Sequence, residues 1–291
     1  MATLKSDCLK CIINMQADNV PVVCSEEEKL VYQQRLFKVL SEAKVSESAP
    51  LLIKRIADIQ TELFGKSADY TEIKYFYNDY VMKKLPLLIE NIMQAEDSLL
   101  RAVQYSLIGN FIDFGAMKTV DNDKFEQLLA KVPFIELGNE YEKLREDLQH
   151  AERLVFLTDN CGEIVFDKLL IQTVKRLYPD ICITIIVRGK PVLNDATIED
   201  AVQIGLMEEC TVIGNGTNVA GTCLELITEE TRLAIEMADV ILSKGQGNFE
   251  TLQGCALNVY YLFMCKCEMF AKRFQVEQYD GLLINDKRKG I

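Results

Sequence analysis

The chain has 291 residues, of which 49% are hydrophobic and 26% are charged, as in an ordinary globular protein with one large domain or two modest ones. A net charge of -12 and a pI near 4.8 argue against non-specific nucleic-acid binding, because no basic face is available to displace phosphate counterions. Charged residues interrupt the longest apolar stretches before they could span a bilayer, and the N-terminus lacks the apolar core of a signal peptide. We therefore expect a cytoplasmic protein that binds neither nucleic acid nor membrane.

Histidine and cysteine usage narrows the possible chemistry. The single histidine, His150, disfavours a His-rich zinc site and a His-centred catalytic triad. Ten cysteines are present, but a reducing compartment argues against a disulfide framework. One pair, Cys8 and Cys11, lies near the start of the chain, and Cys265 and Cys267 lie near the end. We expect both pairs to serve helix packing, with a four-thiolate site formed by the two pairs as the alternative.

The first half of the sequence is predicted to be helical. Residues 26–43 place apolar side chains at helical spacing, and Ser25 followed by Glu28 fits a capping box at the start of this helix. A later pattern continues through Pro86, where a kink or break is expected. Further helices are predicted over residues 50–64, 71–96, 99–111, 123–131 and 139–152.

From Arg153 onward, apolar runs rich in branched residues alternate with helical patterns, which is typical of buried parallel strands joined by helices. We therefore predict a Rossmann-like, three-layer α/β/α domain over residues 151–291, preceded by a helical N-terminal domain over residues 1–150. The strands are predicted at 153–159, 181–188, 210–214, 239–243, 258–264 and 281–285, and the helices at 163–178, 196–205, 228–237 and 266–275.

Polar residues follow the first two predicted strands. Asp159 and Asn160 end the first strand and Asp195 follows the second, and such strand ends face the crevice where open α/β sheets bind ligands. Gly162 allows the chain to break its pleat, so that Asp159 and Asn160 both turn inward. These all-oxygen ligands suit Mg²⁺ or Mn²⁺ better than zinc. The alternative for Asp159 and Asn160 is a β-turn with an N-cap.

The same edge of the sheet has features that suit a phosphate group. The helix that starts near Glu163 would aim its N-terminal amides at this edge. Arg188 and Lys190 could bind a phosphoryl group or neutralise the carboxylates, and Asn194 or Asp195 could also cap the next helix.

Glycine-rich segments provide three further signals. Lys244 lies in a glycine-rich turn between a strand and a helix, similar in principle to a phosphate cradle but without Walker spacing. The loop 214–221 gives a weak dinucleotide signal and is interpreted as a loop on the substrate side. In the segment 109–115, Asn110 either ends a helix or reaches across the domain interface toward the metal or phosphate.

Taken together, these motifs resemble the damage-control phosphatase family, formerly domain of unknown function 89, which includes the acidic-residue methyltransferase-like proteins. The resemblance rests on three motifs: Asp159-Asn-Cys-Gly-Glu163, Arg188-Gly-Lys-Pro-Val-Leu-Asn-Asp195 and Lys244-Gly-Gln-Gly-Asn-Phe-Glu250. Similarity to the prokaryotic-type branch rests on Cys8-x-x-Cys11, Gly109-Asn110-x-x-Asp113 and Lys266-Cys267.

The resemblance implies a phosphatase that acts on small phosphorylated metabolites, such as sugar phosphates, nucleotides or damaged metabolites, with a divalent metal (Mn²⁺, Mg²⁺, Co²⁺ or Ni²⁺). It implies that Asp159, Asn160 and Asp195 are metal ligands and that Lys244 contacts the phosphate. Cys161 stands where the family has a small alanine-like residue, and either fills the same space or makes activity sensitive to oxidation. Further candidates for phosphate or substrate binding are Asn110, Arg188, Glu163, Asn194 and Asn248.

Two nucleophiles and three functions stay open. Water deprotonated with help from Asp159 or Asp195 is one nucleophile, and Asp159 itself, forming an aspartyl-phosphate, is the other. Besides a phosphatase, the chain could be a metal- and nucleotide-binding regulatory module without significant turnover. It could also be a carboxyl methyltransferase, for which the loop 214–221 is the only local support.

Overall fold

The computed structural model describes residues 4–65, 69–113, 121–285 and 287, and every structural statement below concerns these residues. Eight helices precede the first strand, and strands and helices alternate after it. The first eight helices are α1 (Ser6–Gln16), α2 (Glu26–Ser41), α3 (Ala49–Phe64), α4 (Thr71–Met82), α5 (Leu85–Met93), α6 (Ser98–Gly109), α7 (Asn122–Lys131) and α8 (Asn139–His150). The later elements are β1 (Arg153–Leu157), α9 (Glu163–Leu177), β2 (Cys182–Val187), α10 (Ile198–Gln203), β3 (Thr211–Gly214), α11 (Glu229–Glu236), β4 (Val240–Lys244), α12 (Gln246–Leu252), β5 (Val259–Met264), α13 (Glu268–Phe274) and β6 (Gly281–Asn285).

Local sequence signals set several helix boundaries. The Ser25 side chain accepts a hydrogen bond from the Glu28 amide and the Glu28 side chain accepts one from the Ser25 amide, which confirms the capping box at the start of α2. The single helix predicted over residues 71–96 is instead the pair α4 and α5. Pro86 occupies the first turn of α5, where its missing amide donor costs nothing, so a new helix starts there.

The sheet has six strands in the order β3-β2-β1-β4-β5-β6. Strands β1 to β5 are parallel to their neighbours, and β6 is antiparallel to β5. Strands β2 and β3 lie on one side of β1, whereas β4 and β5 lie on the other. The strand order therefore reverses between β1 and β4. The carboxyl ends of the strands at such a switch point are where open α/β sheets bind their ligands.

Helices cover both faces of this sheet, which confirms the α/β prediction. One buried apolar cluster joins α6 and α9 to one face, through Leu107 and Phe166 among others. A second cluster joins α12 and α13 to the opposite face, through Phe249 and Phe270. The first cluster includes residues on both sides of position 150, and the predicted domain boundary at that position stays a prediction. None of the helices within the described ranges is long and apolar enough to cross a membrane.

Helices α1 to α3 form a third apolar cluster, built around Tyr32, Leu36 and Ile56. Contacts between α3 and α12 join this cluster to the sheet region. At that junction the Glu250 carboxyl group accepts a hydrogen bond from the Ala49 amide in the first turn of α3. Burial raises the pKa of Glu250 to about 7, although the Ala49 amide and Arg273 both oppose the rise.

We expect the free energy of unfolding to fall as the pH rises from about 4.5 to 7, because Glu250 holds its proton more tightly in the folded protein. Its contribution is fully present below its ordinary pKa of 4.5 and is lost as the pH passes the folded value. One such group changes stability by at most about 1.4 kcal/mol per pH unit. Urea unfolding from pH 4.5 to 8 should show a smaller fall for Glu250→Gln than for wild type. The matching change at exposed Glu268 should leave the slope unaltered, and equal slopes in all three proteins would contradict the assignment.

Candidate active site

The segments that follow β1 and β2 run alongside each other at the carboxyl edge of the sheet. Asn160 and Asp195 form an isolated antiparallel bridge there. The Ala196 amide donates to the Asp159 carbonyl at 2.7 Å, and the Cys161 amide donates to the Asn194 carbonyl at 2.8 Å. The three side chains predicted as metal ligands therefore lie on adjoining backbone segments, although Asp195 belongs to the loop after β2 and not to the strand end itself.

The start of α9 confirms one prediction and corrects another. Gly162 has φ +70°, which lets the chain turn sharply between Asn160 and α9 as predicted. The N-terminal amides of α9 were predicted to form an anion site, but they already have protein acceptors. The amides of residues 162, 163 and 164 donate to Asn78 Oδ1, Cys161 O and Asn160 O respectively. The predicted anion site at these amides is therefore wrong.

The helix after the Asp195 loop starts at a different residue from the one predicted. Thr197 is the N-cap of α10 and forms a capping box with Asp200, so neither Asn194 nor Asp195 caps the helix. Asn194 is fully buried, and its Nδ2 lies 3.4 Å from the Ile112 carbonyl and 3.8 Å from Cys161 Sγ. Asp195 is consequently available to the site, whereas Asn194 packs beneath it.

Asp159 sits at the centre of the cluster and is 8% exposed. Its Oδ2 accepts hydrogen bonds from Asn110 Nδ2 at 3.1 Å and Asn160 Nδ2 at 2.8 Å. Asn110 caps the C-terminus of α6, is fully buried, and accepts from the Met264 amide through Oδ1. Asn110 thus reaches from the helical half to Asp159, in the position that its functional interpretation predicts. Gly115, at the end of the same predicted motif, lies outside the described residues.

Arg188 lies between Asp159 and Asp195. Its Nε donates to Asp195 Oδ2 at 2.6 Å, its Nη2 lies 3.5 Å from Asp159 Oδ1, and its Nη1 donates to Asn248 Oδ1 at 3.1 Å. Arg188 is 1% exposed, so it neutralises the carboxylates in this arrangement, which was one of its two predicted roles. Asn248 Nδ2 donates to the carbonyls of Thr158 and Lys244 and therefore links the segments that follow β1 and β4.

Lys244 is fully buried beneath the cluster. Its Nζ contacts Glu163 Oε1 at 2.6 Å, Asp167 Oδ1 at 2.9 Å and the Ser106 carbonyl at 2.7 Å. These three acceptors match the three hydrogens of an ammonium group. The described arrangement leaves no Lys244 hydrogen for a phosphate group, so the predicted phosphate contact stays a prediction that the geometry does not favour.

Glu163 links Lys244 to the two asparagines. Its carboxylate accepts from Asn110 Nδ2 at 2.9 and 3.0 Å, and from Asn160 Nδ2 at 3.0 Å and the Asn160 amide at 3.2 Å. Glu163 therefore accepts hydrogen bonds inside the cluster, and this arrangement does not favour its predicted contact with an anionic substrate.

The prediction from sequence missed several residues of this cluster, and one of them carries a usable signal. Asp167 follows Glu163 by four positions in the apolar first half of α9, so both acids face the same side of the helix. Burial raises the pKa of Asp167 to about 7, with Lys244 opposing the rise and Glu163 adding to it. Ser106 and Thr222, which lies 3.5 Å from Arg188 Nη1, have no comparable signal in the sequence.

Acidic groups outnumber basic groups in this cluster. With every group ionised, five carboxylates face three cations, which leaves two formal negative charges without compensation among the described residues. The carboxylates are Asp113, Asp159, Glu163, Asp167 and Asp195, and the cations are Arg188, Lys244 and Lys266.

The pKa shifts report the same imbalance. Burial, followed by repulsion from Glu163, Asp195 and Asp113, raises the pKa of Asp159 well above its usual range, against the effect of Arg188. Burial likewise raises the pKa of Asp195 to about 6, with Arg188 opposing. A divalent cation would supply the missing two charges, and oxygen donors are the ligands that Mg²⁺ and Mn²⁺ prefer. The residues present therefore fit such an ion.

Thiolate sites have no counterpart in the described part of the chain. No group of three or more His, Cys, Asp or Glu side chains is placed there to hold a metal, so the described geometry does not assemble the alternative four-thiolate site. Cys267 nevertheless lies close enough to Cys8 and Cys11 to add to the rise that burial causes in the pKa of both thiols. The predicted oxygen set, Asp159, Asn160 and Asp195, contains only two such side chains together with one amide.

Comparisons with known proteins agree with this architecture. A family model described as the damage-control phosphatase ARMT1-like domain matches residues 4–282. The chain is 32% identical over 281 residues to a damage-control phosphatase of Archaeoglobus fulgidus, covering 94% of this chain and 96% of the relative. A damage-control phosphatase of Pyrococcus horikoshii is 28% identical over an alignment of 291 positions that covers 97% of each chain. The crystal structure of a DUF89 family protein from Pyrococcus horikoshii superposes with a TM-score of 0.79 at 26% identity, covering 99% of this chain and all of the other. The chain belongs to the damage-control phosphatase family with an ARMT1-like domain.

Proposed function

We propose that the protein is a phosphatase that releases phosphate from small phosphorylated metabolites and depends on a divalent cation held by Asp159, Asn160 and Asp195. The observation that carries the proposal is the excess of two formal negative charges in the buried cluster that contains Asp159 and Asp195, at the carboxyl ends of the strands. Family membership supports the phosphatase activity. Mn²⁺, Mg²⁺, Co²⁺ and Ni²⁺ all suit the oxygen donors, and a cytoplasmic location stays a prediction.

When bound, the ion would neutralise negative charge on the phosphoryl oxygens. Arg188 would hold the Asp159 and Asp195 carboxylates together against their mutual repulsion. Asn110 and Asn160 would keep Asp159 in place through its Oδ2. Both carboxylate oxygens of Asp159 face hydrogen-bond donors. Direct attack by Asp159 on phosphorus would require its carboxylate to leave these donors, which supports water as the nucleophile. Asp195 would then accept the proton of the water.

The phosphoryl group is assigned to Lys266 in preference to Lys244. Lys266 follows β5 at the rim of the cluster, and its Nζ pairs with Asp113 at 2.6 Å. The Lys266 side chain keeps 7% of its surface exposed, whereas that of Lys244 keeps none. A phosphate group at the rim of the cluster could therefore reach Lys266 while the ion pairs of Lys244 with Glu163 and Asp167 stay intact.

The proposal is tested by phosphate release from sugar phosphates, nucleotides and p-nitrophenyl phosphate. We expect no release in the presence of a chelator and release after adding Mn²⁺, Mg²⁺, Co²⁺ or Ni²⁺. Asp159→Ala protein, purified in parallel, controls for contaminating phosphatases. Saturable substrate binding without release under any metal would refute the proposal and favour a regulatory binding module.

A further inference from the structure

We propose that Asp167 is a positioning residue for the ion site, acting through Lys244 and Glu163 on the side-chain amide of Asn160. The inference deepens the proposed function and rests on it for the identity of the ion site. Asp167 touches neither Asp159 nor Asn160 in the described hydrogen bonds, so its effect must pass through the residues between them.

The residues that link Asp167 to the site are all fully buried. Asp167 Oδ1 accepts from Ser106 Oγ at 2.6 Å and from Lys244 Nζ at 2.9 Å. Lys244 Nζ in turn contacts Glu163 Oε1 at 2.6 Å. Asp167 and Glu163 lie one turn apart on α9, whereas Lys244 comes from β4. The ammonium group is therefore fixed between two carboxylates of one rigid helix.

Glu163 and Asp159 together determine which atom of the Asn160 amide turns away from the acids. Asn160 Nδ2 donates to Glu163 Oε2 at 3.0 Å and to Asp159 Oδ2 at 2.8 Å. A flipped amide would place Oδ1 against two carboxylate oxygens, with no donor between them. The amide oxygen consequently points away from both acids, in the orientation that a cation ligand requires. Outer residues that orient a ligand in this way tune metal affinity.

Stability alone does not account for the negative charge of Asp167, because a neutral acceptor would also take the third hydrogen of Lys244. Glu163 and the Ser106 carbonyl already give Lys244 one charged and one neutral acceptor. Asp167 adds a second buried negative charge, and its Oδ2 has no hydrogen-bond partner among the described residues. An unpaired buried oxygen costs free energy. A positioning role explains the charge. The Asp167 carboxylate holds the Lys244 ammonium in place, and Lys244 in turn holds Glu163 against the Asn160 amide.

The test measures Mn²⁺ binding without substrate, by electron paramagnetic resonance of the free ion. Asp167→Asn keeps the shape of the side chain but removes its charge, and we expect the Mn²⁺ Kd to rise about tenfold or more. Asp147→Asn is the matched control, because Asp147 also accepts two side-chain hydrogen bonds, from Tyr260 Oη and Asn258 Nδ2, but it is half-buried and lies at the amino end of β5. The control should retain the wild-type Kd.

Ser106→Ala separates positioning from loss of charge. This variant leaves every charge in place and removes only the Ser106 Oγ donor to Asp167, so a rise in the Mn²⁺ Kd would come from orientation. It also keeps the inference testable if Asp167→Asn does not fold. A wild-type Kd in folded Asp167→Asn, or in Ser106→Ala when Asp167→Asn does not fold, would overturn the inference. Failure of the proposed function would differ: wild type would bind Mn²⁺ yet release no phosphate.

Discussion

Replacing Lys244 by methionine is expected to lower the free energy of unfolding by about 3–5 kcal/mol, the usual consequence of removing one partner from a buried ion pair. Methionine fills much of the same volume, but Glu163 and Asp167 would then lose the ammonium that neutralises both of them. Burial alone would lower the pKa of Lys244, but attraction to the two carboxylates raises it, so the lysine is charged at neutral pH. Urea denaturation of both proteins measures the difference.

The same variant distinguishes two roles for Lys244. A residue that only contacts phosphate would show near-normal stability and a large loss of phosphate affinity. Lys190→Met is the matched control, because Lys190 is exposed in the loop after β2 and should change stability by less than about 0.5 kcal/mol. Adding Glu163→Gln and Asp167→Asn to Lys244→Met should recover part of the lost stability, since no unpaired charge would then be buried. If Lys244→Met were as stable as wild type, the structural role would be contradicted and the phosphate contact predicted from the sequence would be favoured.

Periodicity and strand-end chemistry predict much of this fold. Buried strands carry continuous apolar runs, so β1, β2 and β4 are visible as such, and Gly162 marks the turn into α9. Helix α1 has no such signal. It starts without a side-chain cap, and the burial of Ile12 depends on packing against α2 and α3. Local pattern predicts an element best when its start signal and its apolar face lie within the element itself.

The direction of a buried polar side chain is harder to predict from sequence. The motifs place Asp159, Asp195 and Asn110 near one another, because strand ends converge and α6 ends at the same edge. Nothing in the local sequence shows that Lys244 points under the sheet edge toward α9 and not outward to a phosphate. That choice depends on Asp167 and Ser106, which come from distant parts of the chain and become its neighbours only in the folded protein.

Gly245→Ala is expected to reduce ion binding and phosphate release about 100-fold or more, because the position has no room for a Cβ atom. A Cβ there would lie 2.0 Å from Asp159 Oδ2 and 2.2 Å from its Cγ, so the carboxylate would have to move. A displacement of about 1 Å at a reacting group can cost two orders of magnitude in rate. The backbone adds strain, since φ 81° and ψ 158° are accessible essentially to glycine alone.

Gly138→Ala separates backbone strain from displacement of Asp159. Gly138 has a comparable backbone, with φ 62° and ψ -157°, but a Cβ there would meet nothing within 4 Å. Both variants should lose about 1–3 kcal/mol of stability from strain, whereas only Gly245→Ala should lose Mn²⁺ affinity. Calorimetric Mn²⁺ titration beside urea unfolding measures both quantities. Equal Mn²⁺ affinity in the two folded variants would show that the contact with Gly245 does not fix the Asp159 carboxylate, and the centre of the ion site would then have to be placed elsewhere along the crevice.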